Sequence, residues 1–485
     1  MKNNRTGFRS QGPQAKATGK RIHHSAAASK SARRPSKQDP KGKLKAQARS
    51  FNGTLEKYLP KRKITALARG AGFQRRVAKK LSAWLFIQSA CLLVTQKNIS
   101  FRNWAILIGL LSRRTLAVPS LHERITDRAA GFLQAVLQAL MESLVRLQRT
   151  EALPYLSAFQ RALLADSTSL GLGEKLAAFF PGASNQHGPC GGTLKIQAAY
   201  DLLRQRFVHF SLSSYRRNDQ AASADALNWI RRGDLLIRDL GYFVVEVLQG
   251  IIDRGAFFLS RLHLNATLYE LDGTAQVDLL ARLRHQGSLD ENLLLASQKV
   301  PVRVVALPVP PAEAAARRAK AKHNRDRRSP PSARHLALLG WEIFITNVPR
   351  QVWSPKVVAH LYGLRWRVET IFKAWKSHFN LRQIPAKASA AEAQCIVYAK
   401  LIFVVLFHVC FWRPIRREAV RWGRAAPSLL KVSQALVGLL LALMLEELRA
   451  SVAEAWAQQA AYHCRYEKRR CRTHFLEQIV PLAEC

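Results

Sequence analysis

Residues 362–376 read Tyr-Gly-Leu-Arg-Trp-Arg-Val-Glu-Thr-Ile-Phe-Lys-Ala-Trp-Lys, and the apolar positions in and around this stretch have the spacing of an amphipathic helix. The apolar set is Leu361, Leu364, Val368, Ile371, Trp375 and Phe379. At 3.6 residues per turn, four polar residues at offsets 0, 3, 7 and 14 fall within about 60° of arc on a different face. These are Tyr362, Arg365, Glu369 and Lys376. We therefore expect a helix that docks by one face and carries an ionic row at the border of that face.

A carboxylate placed between two cations suits a site that handles both a metal ion and a phosphate. Glu369 could hold a divalent cation, while Arg365 and Lys376 could hold a DNA phosphate. Ordinary intrahelical ion pairs on a protein surface would give the same pattern. The helix alone leaves both readings open.

The sequence upstream of this helix alternates between strand-like and helix-like stretches. Strands are predicted to begin near Leu163, Leu194, Phe207, Leu235 and Ala256, and helices cover Ala221 to Trp229 and Phe243 to Ile252. Three strands followed by helix, strand, helix and strand is the order of an α/β core with a mixed sheet. The first strand runs into Asp166, and the fourth ends at Asp239.

Three motifs together resemble the DDE transposases of bacterial insertion sequences, specifically the insertion-sequence-four type with its Tyr-Arg-Glu-Lys signature. They are Leu163-Leu-Ala-Asp166-Ser-Thr168, Asp239-Leu-Gly-Tyr-Phe243 and Tyr-x2-Arg-x3-Glu-x6-Lys, and they follow the order of the family over roughly residues 65–450. The resemblance implies an RNase H-like core in which Asp166, Asp239 and Glu369 are the catalytic metal ligands. It also implies a cut-and-paste DNA transposase that cleaves and joins strands at inverted-repeat ends. Two Mg²⁺ ions would be the cofactor, with Mn²⁺ able to replace them.

The same resemblance implies residues that bind DNA. Candidates for phosphate contacts are Tyr362, Arg365, Lys373, Lys376 and, more weakly, Arg261. Members of this family form a hairpin at the transposon end and stack a flipped base on a tryptophan upstream of the glutamate. Trp341, 28 residues before Glu369, is the candidate for that platform. An ordinary core tryptophan in the strand Glu342 to Thr346 remains equally open.

The chain divides into six predicted segments. These are a basic arm (1–55), a helical DNA-binding domain (60–150), the first part of the core (155–262), a β-rich insertion (263–340), the end of the core (341–385) and a helical C-terminal region for dimerisation or DNA contact (386–485). A helical dimerisation module is the alternative for 60–150. The insertion contains a very basic segment, Ala315 to His335, which we predict to be a loop that either grips DNA or is solvated.

The charge balance points to a polyanionic partner. The chain holds 76 Lys and Arg against 32 Asp and Glu, a formal charge of +44. DNA fits this excess better than an anionic membrane surface, because the basic residues are spread along the whole chain. We expect a homodimer on DNA and a cytoplasmic, nucleoid-associated bacterial protein with no membrane partner.

No apolar segment follows the basic N-terminus, seven scattered cysteines do not suggest disulfides, and Leu401 to Trp412 is predicted to be a buried core helix.

Other acidic and metal-binding residues compete less well. Asp234 lies an odd number of residues before Asp239, so a regular strand would turn the two to opposite faces. Asp201, Asp219 and Asp225 lack a motif and are interpreted as loop, cap or surface residues. His187-x2-Cys190 and the His and Cys residues of 463–474 lack the paired spacing of a zinc finger. Two other functions stay open: a catalytically inactive or domesticated DNA-binding relic, and a structure-selective nuclease on the same core.

Overall fold

The computed structural model describes residues 51–76, 80–112, 114–149, 153–185, 188–189, 191–323, 330–423 and 425–437. Most of the predicted basic arm, both candidate His and Cys groups and the centre of the basic segment 315–335 lie outside these residues. Within them, nine strands form one mixed sheet. The strands are β1 (Ala162–Gly171), β2 (Thr193–Asp201), β3 (Arg206–Ser214), β4 (Leu235–Arg238), β5 (Phe257–Arg261), β6 (Leu268–Tyr269), β7 (Leu289–Leu295), β8 (Val300–Pro308) and β9 (Trp341–Thr346).

The strand order across the sheet is β3-β2-β1-β4-β5-β9-β8-β7-β6. Strand β4 runs parallel to both β1 and β5, and every other neighbouring pair is antiparallel. The mixed α/β core predicted from the sequence is thus confirmed. Strands β1 to β5 form the RNase H-like core, in the order 3-2-1-4-5.

Apolar residues cover both faces of the sheet. Residues 162–165 at the start of β1 are all buried, as expected for a central strand with layers on either side. One face packs against the helices Trp366–His378 and Ala390–Phe407 and the N-terminal helices, and the other against the helices Val245–Asp253 and Leu279–Gln286 and the insertion.

Sixteen helices surround the sheet within the described residues. They are α1 (Phe51–Tyr58), α2 (Lys61–Gly70), α3 (Ala83–Cys91), α4 (Phe101–Ser112), α5 (Val118–His122), α6 (Asp127–Ser143), α7 (Asp219–Ala222), α8 (Val245–Asp253), α9 (Leu279–Gln286), α10 (Pro311–Lys322), α11 (Ala333–Leu338), α12 (Pro355–Tyr362), α13 (Trp366–His378), α14 (Ala390–Phe407), α15 (Arg413–Arg421) and α16 (Leu429–Val437). The N-terminal region is helical, as predicted, and its helices α3 and α6 pack on α14.

Helix α14 and the turn after it hold the most apolar run of the chain. Among the described residues, Ala390–Arg421 is the one stretch long and apolar enough to cross a membrane, and 83% of its most apolar window is buried inside the protein. The predicted core helix over Leu401 to Trp412 therefore has the expected burial.

The insertion differs from expectation in two places. Its strands extend the core sheet past β5, and one of them, β7, was not predicted because Asp290 and Glu291 interrupt its apolar pattern. In the structure these two acids pair with Arg303 and Arg282. The prediction of a loop over 315–335 was wrong at both ends, where α10 and α11 lie. Proline at the start of α10 and its many alanines favour helix over loop.

Candidate active site

Strand register brings the two motif aspartates together. In the parallel pair of β1 and β4, Ala165 lies opposite Arg238. Asp166 and Asp239 are the next residues along the two strands and therefore lie side by side. Two residues earlier, Leu164 and Ile237 point into the apolar core on the α13 side of the sheet. Because side chains alternate along an extended chain, both aspartates face that same side.

Helix α13 carries Glu369 to the aspartates. The helix packs against β1, and all six apolar residues of the predicted stripe are buried. Glu369 lies at the border of this buried face, with 37% of its side chain exposed. Tyr362 is not on the same helix as expected, because a 3₁₀ turn at Gly363–Arg365 separates α12 from α13.

Arg365 lies among the three carboxylates. Its Nη1 is 2.6 Å from Oε1 of Glu369 and 3.6 Å from Oδ2 of Asp166. Its Nε is 3.6 Å from Oδ1 of Asp239. Three acids that are far apart in the sequence therefore contact one guanidinium, which is only 9% exposed.

Crowding and burial change the acidity of Asp166. Burial raises its pKa to about 6, and the negative charges of Glu369 and Asp239 add to the increase. The backbone N–H of Ser167, which donates to Oδ1 at 2.7 Å, and the charge of Arg365 act in the opposite direction. Asp166 is therefore a carboxylate that would gain from a nearby cation.

Tyr362 borders the site at the end of α12. Its hydroxyl donates to Oδ1 of Asp239 at 3.3 Å. Burial, followed by the charge of Asp239, raises the pKa of Tyr362 to about 12, so the phenol stays protonated and can donate. The guanidinium of Arg261 lies 5.3 Å from the centre of the Tyr362 ring and pairs with Glu342 at 3.3 Å.

A groove of about 470 Å³ opens beside Glu369. It is lined by Ser167, Thr168, Glu369, Phe372, Lys373, Lys376, Ser377 and Arg382. Burial, together with the positive charge of Arg382, lowers the pKa of Lys376. Sequence reasoning missed Arg382, which follows the end of α13 and belongs to no motif. Arg382 follows a turn at Asn380, where φ is 50°.

Two tryptophans differ in their surroundings. Trp341 begins β9, donates from Nε1 to the carbonyl of Gly287 at 2.7 Å, and is half-buried against the apolar core of the insertion. Trp366, which sequence reasoning overlooked, is 60% exposed, and the Arg365 guanidinium lies 4.7 Å from its ring.

The competing aspartates have other partners. Asp234 is buried and accepts from Nε of Arg161 at 2.8 Å, which keeps it on the other side of the strand from Asp239. Asp225 pairs with Arg217.

Comparison with known proteins connects this geometry with an enzyme family. Residues 157–404 match the model of the transposase DDE domain. The chain belongs to the DDE transposases. It is 30% identical over 384 residues to the transposase for insertion sequence element IS231C of Bacillus thuringiensis subsp. berliner, covering 73% of this chain and 78% of the relative. It is 25% identical over 322 residues to the transposase for insertion sequence element IS1151 of Clostridium perfringens, covering 61% and 67%.

A solved structure also resembles the fold at a distance. It is the piggyBac transposase synaptic complex with hairpin DNA, at a TM-score of 0.41 and 10% identity over 87% of this chain and 85% of that one. The family and the insertion-sequence relatives show that this DDE transposase is an enzyme of DNA transposition, with DNA as its substrate.

The acidic residues suit the divalent metal that this family typically uses. Three carboxylates supply hard oxygen donors, which Mg²⁺ and Mn²⁺ prefer. Burial, with smaller contributions from the charges of Glu369 and Asp239, raises the pKa of Asp166, and a bound cation would stabilise its charged form. Within the described chain, however, no group of three or more Asp, Glu, His or Cys side chains has the spacing to hold an ion. The three carboxylates converge on Arg365 instead. They fit a metal ion by their donor chemistry, but their side chains would have to rotate before they could bind the same ion.

Proposed function

We propose that Asp166, Asp239 and Glu369 form the metal-binding catalytic triad of this transposase, with two Mg²⁺ ions as the cofactor. The observation that supports the proposal is their convergence within 3.6 Å of Arg365 from the middle of β1, the end of β4 and helix α13. Carboxylates gathered closely beside a groove, one of them with a raised pKa, are typical of functional sites.

The chemistry follows from the donors that surround this triad. Two bound ions would supply the positive charge that activates the attacking oxygen and stabilises the leaving oxygen at phosphorus. Arg365 neutralises the carboxylates and lies where a scissile phosphate would approach them. Tyr362, kept protonated, orients Asp239 through its hydroxyl hydrogen bond.

The groove beside Glu369 is the proposed path of the DNA backbone. Lys373, Lys376 and Arg382 place three cations along it, and each can pair with a phosphate. Arg261 extends this basic edge past Tyr362.

Hairpin formation needs a platform for a flipped base, which Trp341 or the more exposed Trp366 would supply by stacking. Cut-and-paste movement through hairpin ends and action as a homodimer belong to the same proposal, because one element has two ends and each chain carries one triad. We place the protein in the bacterial cytoplasm, where its DNA substrate lies.

The test is cleavage of a duplex that carries the inverted repeat flanking this reading frame. With Mg²⁺, Asp166→Asn, Asp239→Asn and Glu369→Gln should each abolish nicking while DNA binding by gel shift persists. Asp225→Asn is the matched control and should cleave like the wild type. Retained cleavage in all three variants would refute the triad. Binding without nicking by the wild type would favour the inactive relic, and cleavage without joining would favour a nuclease.

A further inference from the structure

A fourth carboxylate, that of Asp219, lies between the segments that carry the two catalytic aspartates. Its Oδ1 accepts from Nζ of Lys195 at 3.2 Å and from Nε2 of Gln197 at 3.0 Å. Both donors lie on β2 and are 6% exposed. A buried lysine paired with a carboxylate at this depth is a fixed contact rather than a solvated surface pair.

On one side, Asp219 reaches the first catalytic aspartate. The Ser167 side chain hydrogen-bonds to Asp219, and the Ser167 backbone N–H donates to Oδ1 of Asp166 at 2.7 Å. Ser167 therefore connects the two carboxylates.

On the other side, Asp219 packs on the segment that carries Asp239. A Cβ at Gly241 would lie 3.6 Å from Cβ of Asp219, so the backbone passes directly over this side chain. The next residue, Tyr242, donates its hydroxyl to Gln197, which itself donates to Asp219. The two aspartate-bearing segments thus share one hydrogen-bonded network through Asp219.

We propose that Asp219 is a positioning residue that sets Asp166 and Asp239 for metal binding, through Ser167 on one side and the Gly241-Tyr242 backbone on the other. This inference rests on the proposed triad. Groups that orient the ligands of a metal affect its affinity without touching it.

Helix capping does not explain the placement of Asp219. The N-cap of α7 is Asn218, whose side chain accepts from the backbone N–H of Ala221. Asp219 follows the cap, and its carboxylate turns away from the helix toward β2.

The test measures Mn²⁺ binding to the full-length protein by electron paramagnetic resonance of the free ion. Asp219→Ala should weaken binding by roughly 10-fold or more, the usual effect of losing a group that orients a ligand. Asp219→Asn keeps an acceptor oxygen and should lose less. Asp225→Ala, which removes a carboxylate from the same segment, should bind like the wild type. In cleavage assays, Asp219→Ala should require more Mn²⁺ and approach the wild-type rate at saturation.

Asp219→Ala has two effects, because it removes the proposed positioning contact and also leaves the charge of Lys195 unpaired. A double variant separates them. Lys195→Met combined with Asp219→Ala should stay defective in Mn²⁺ binding; full recovery would overturn the proposal. Unchanged Mn²⁺ affinity in both Asp219→Ala and Asp219→Asn would overturn it as well. The outcome stays distinct from failure of the triad, because in that case Asp166→Asn would also bind Mn²⁺ like the wild type. Thermal melting identifies any variant that fails to fold. If Asp219→Ala does not fold, the Mn²⁺ affinity of Asp219→Asn decides between the two outcomes.

Discussion

At the scale of single residues, Arg365 lies at the centre of the candidate site. Its side chain contacts all three carboxylates, and one of these, Glu369, also lines the groove that we propose as the path of the DNA backbone. The motif spacing predicted that Arg365 and Glu369 share a helix face. It could not predict that Arg365 would point between the aspartates, because spacing fixes a face but not the rotamer or the register of distant strands.

Asp166 should lower the stability of the folded protein at neutral pH. Its pKa rises from 3.8 to about 6 on folding, so the folded protein binds the proton more tightly than the unfolded chain does. The stability gained from this protonation is lost as the pH increases through 6. Asp166→Asn should therefore raise the free energy of unfolding at pH 7.5 by about 1–3 kcal/mol, and by less at pH 5. Urea unfolding with a chelator present measures this. An asparagine variant no more stable than the wild type at pH 7.5 would contradict it.

Asp234 and Asp239 should have very unequal effects on stability when removed. Asp234 is 1% exposed and paired with Arg161, so Asp234→Ala leaves a buried charge and should cost about 3–5 kcal/mol of unfolding free energy. Asp239 is 46% exposed, and Asp239→Ala should change stability by less than about 1 kcal/mol. Chemical denaturation measures the free energy of unfolding of both variants. Equal losses would mean that the structural role of Asp234 and the site role of Asp239 have been misassigned.

At the scale of elements, the sequence predicted the five core strands and the helix that bears Glu369, because each has a clear apolar period. It did not predict β7 or α10. The acids of β7 pair with arginines that are brought close only by folding. In α10, the many basic residues indicated a loop, although its alanines have a strong helix propensity. Asp219 was interpreted as a loop, cap or surface residue, since its partners on β2 lie more than 20 residues upstream.

Lys400 fastens the turn after α13 to α14. Its Nζ donates to the carbonyls of Asn380 at 2.6 Å and Gln383 at 2.7 Å, and burial lowers its pKa to about 7. Lys400→Met leaves these two carbonyls without their donor and should cost about 1–3 kcal/mol of unfolding free energy at pH 10. The loss should be smaller at pH 8, because burying a lysine with a lowered pKa itself costs stability below the ordinary lysine pKa. Lys387→Met, at an exposed lysine nearby, should change it by less than about 0.5 kcal/mol. Equal effects in denaturant titrations would show that Lys400 does not secure this turn.

At the scale of the whole molecule, the charge of +44 should dominate DNA affinity. Residues 1–50 carry 14 Lys and Arg and a single acid, Asp39. Replacing those 14 residues by glutamine should reduce the slope of log affinity against log salt by roughly 0.9 for each phosphate that they contact. Fluorescence anisotropy at several NaCl concentrations measures the slope. An unchanged slope would show that this charge does not meet the DNA.

The central claim is that Asp166, Asp239 and Glu369 share metal ions, and anomalous diffraction from crystals of the protein with end DNA and Mn²⁺ tests it most directly. We predict manganese peaks at about 2.2 Å from oxygens of all three side chains, with Arg365 displaced from between them. Manganese bound elsewhere, with the carboxylates still held on Arg365, would contradict the claim.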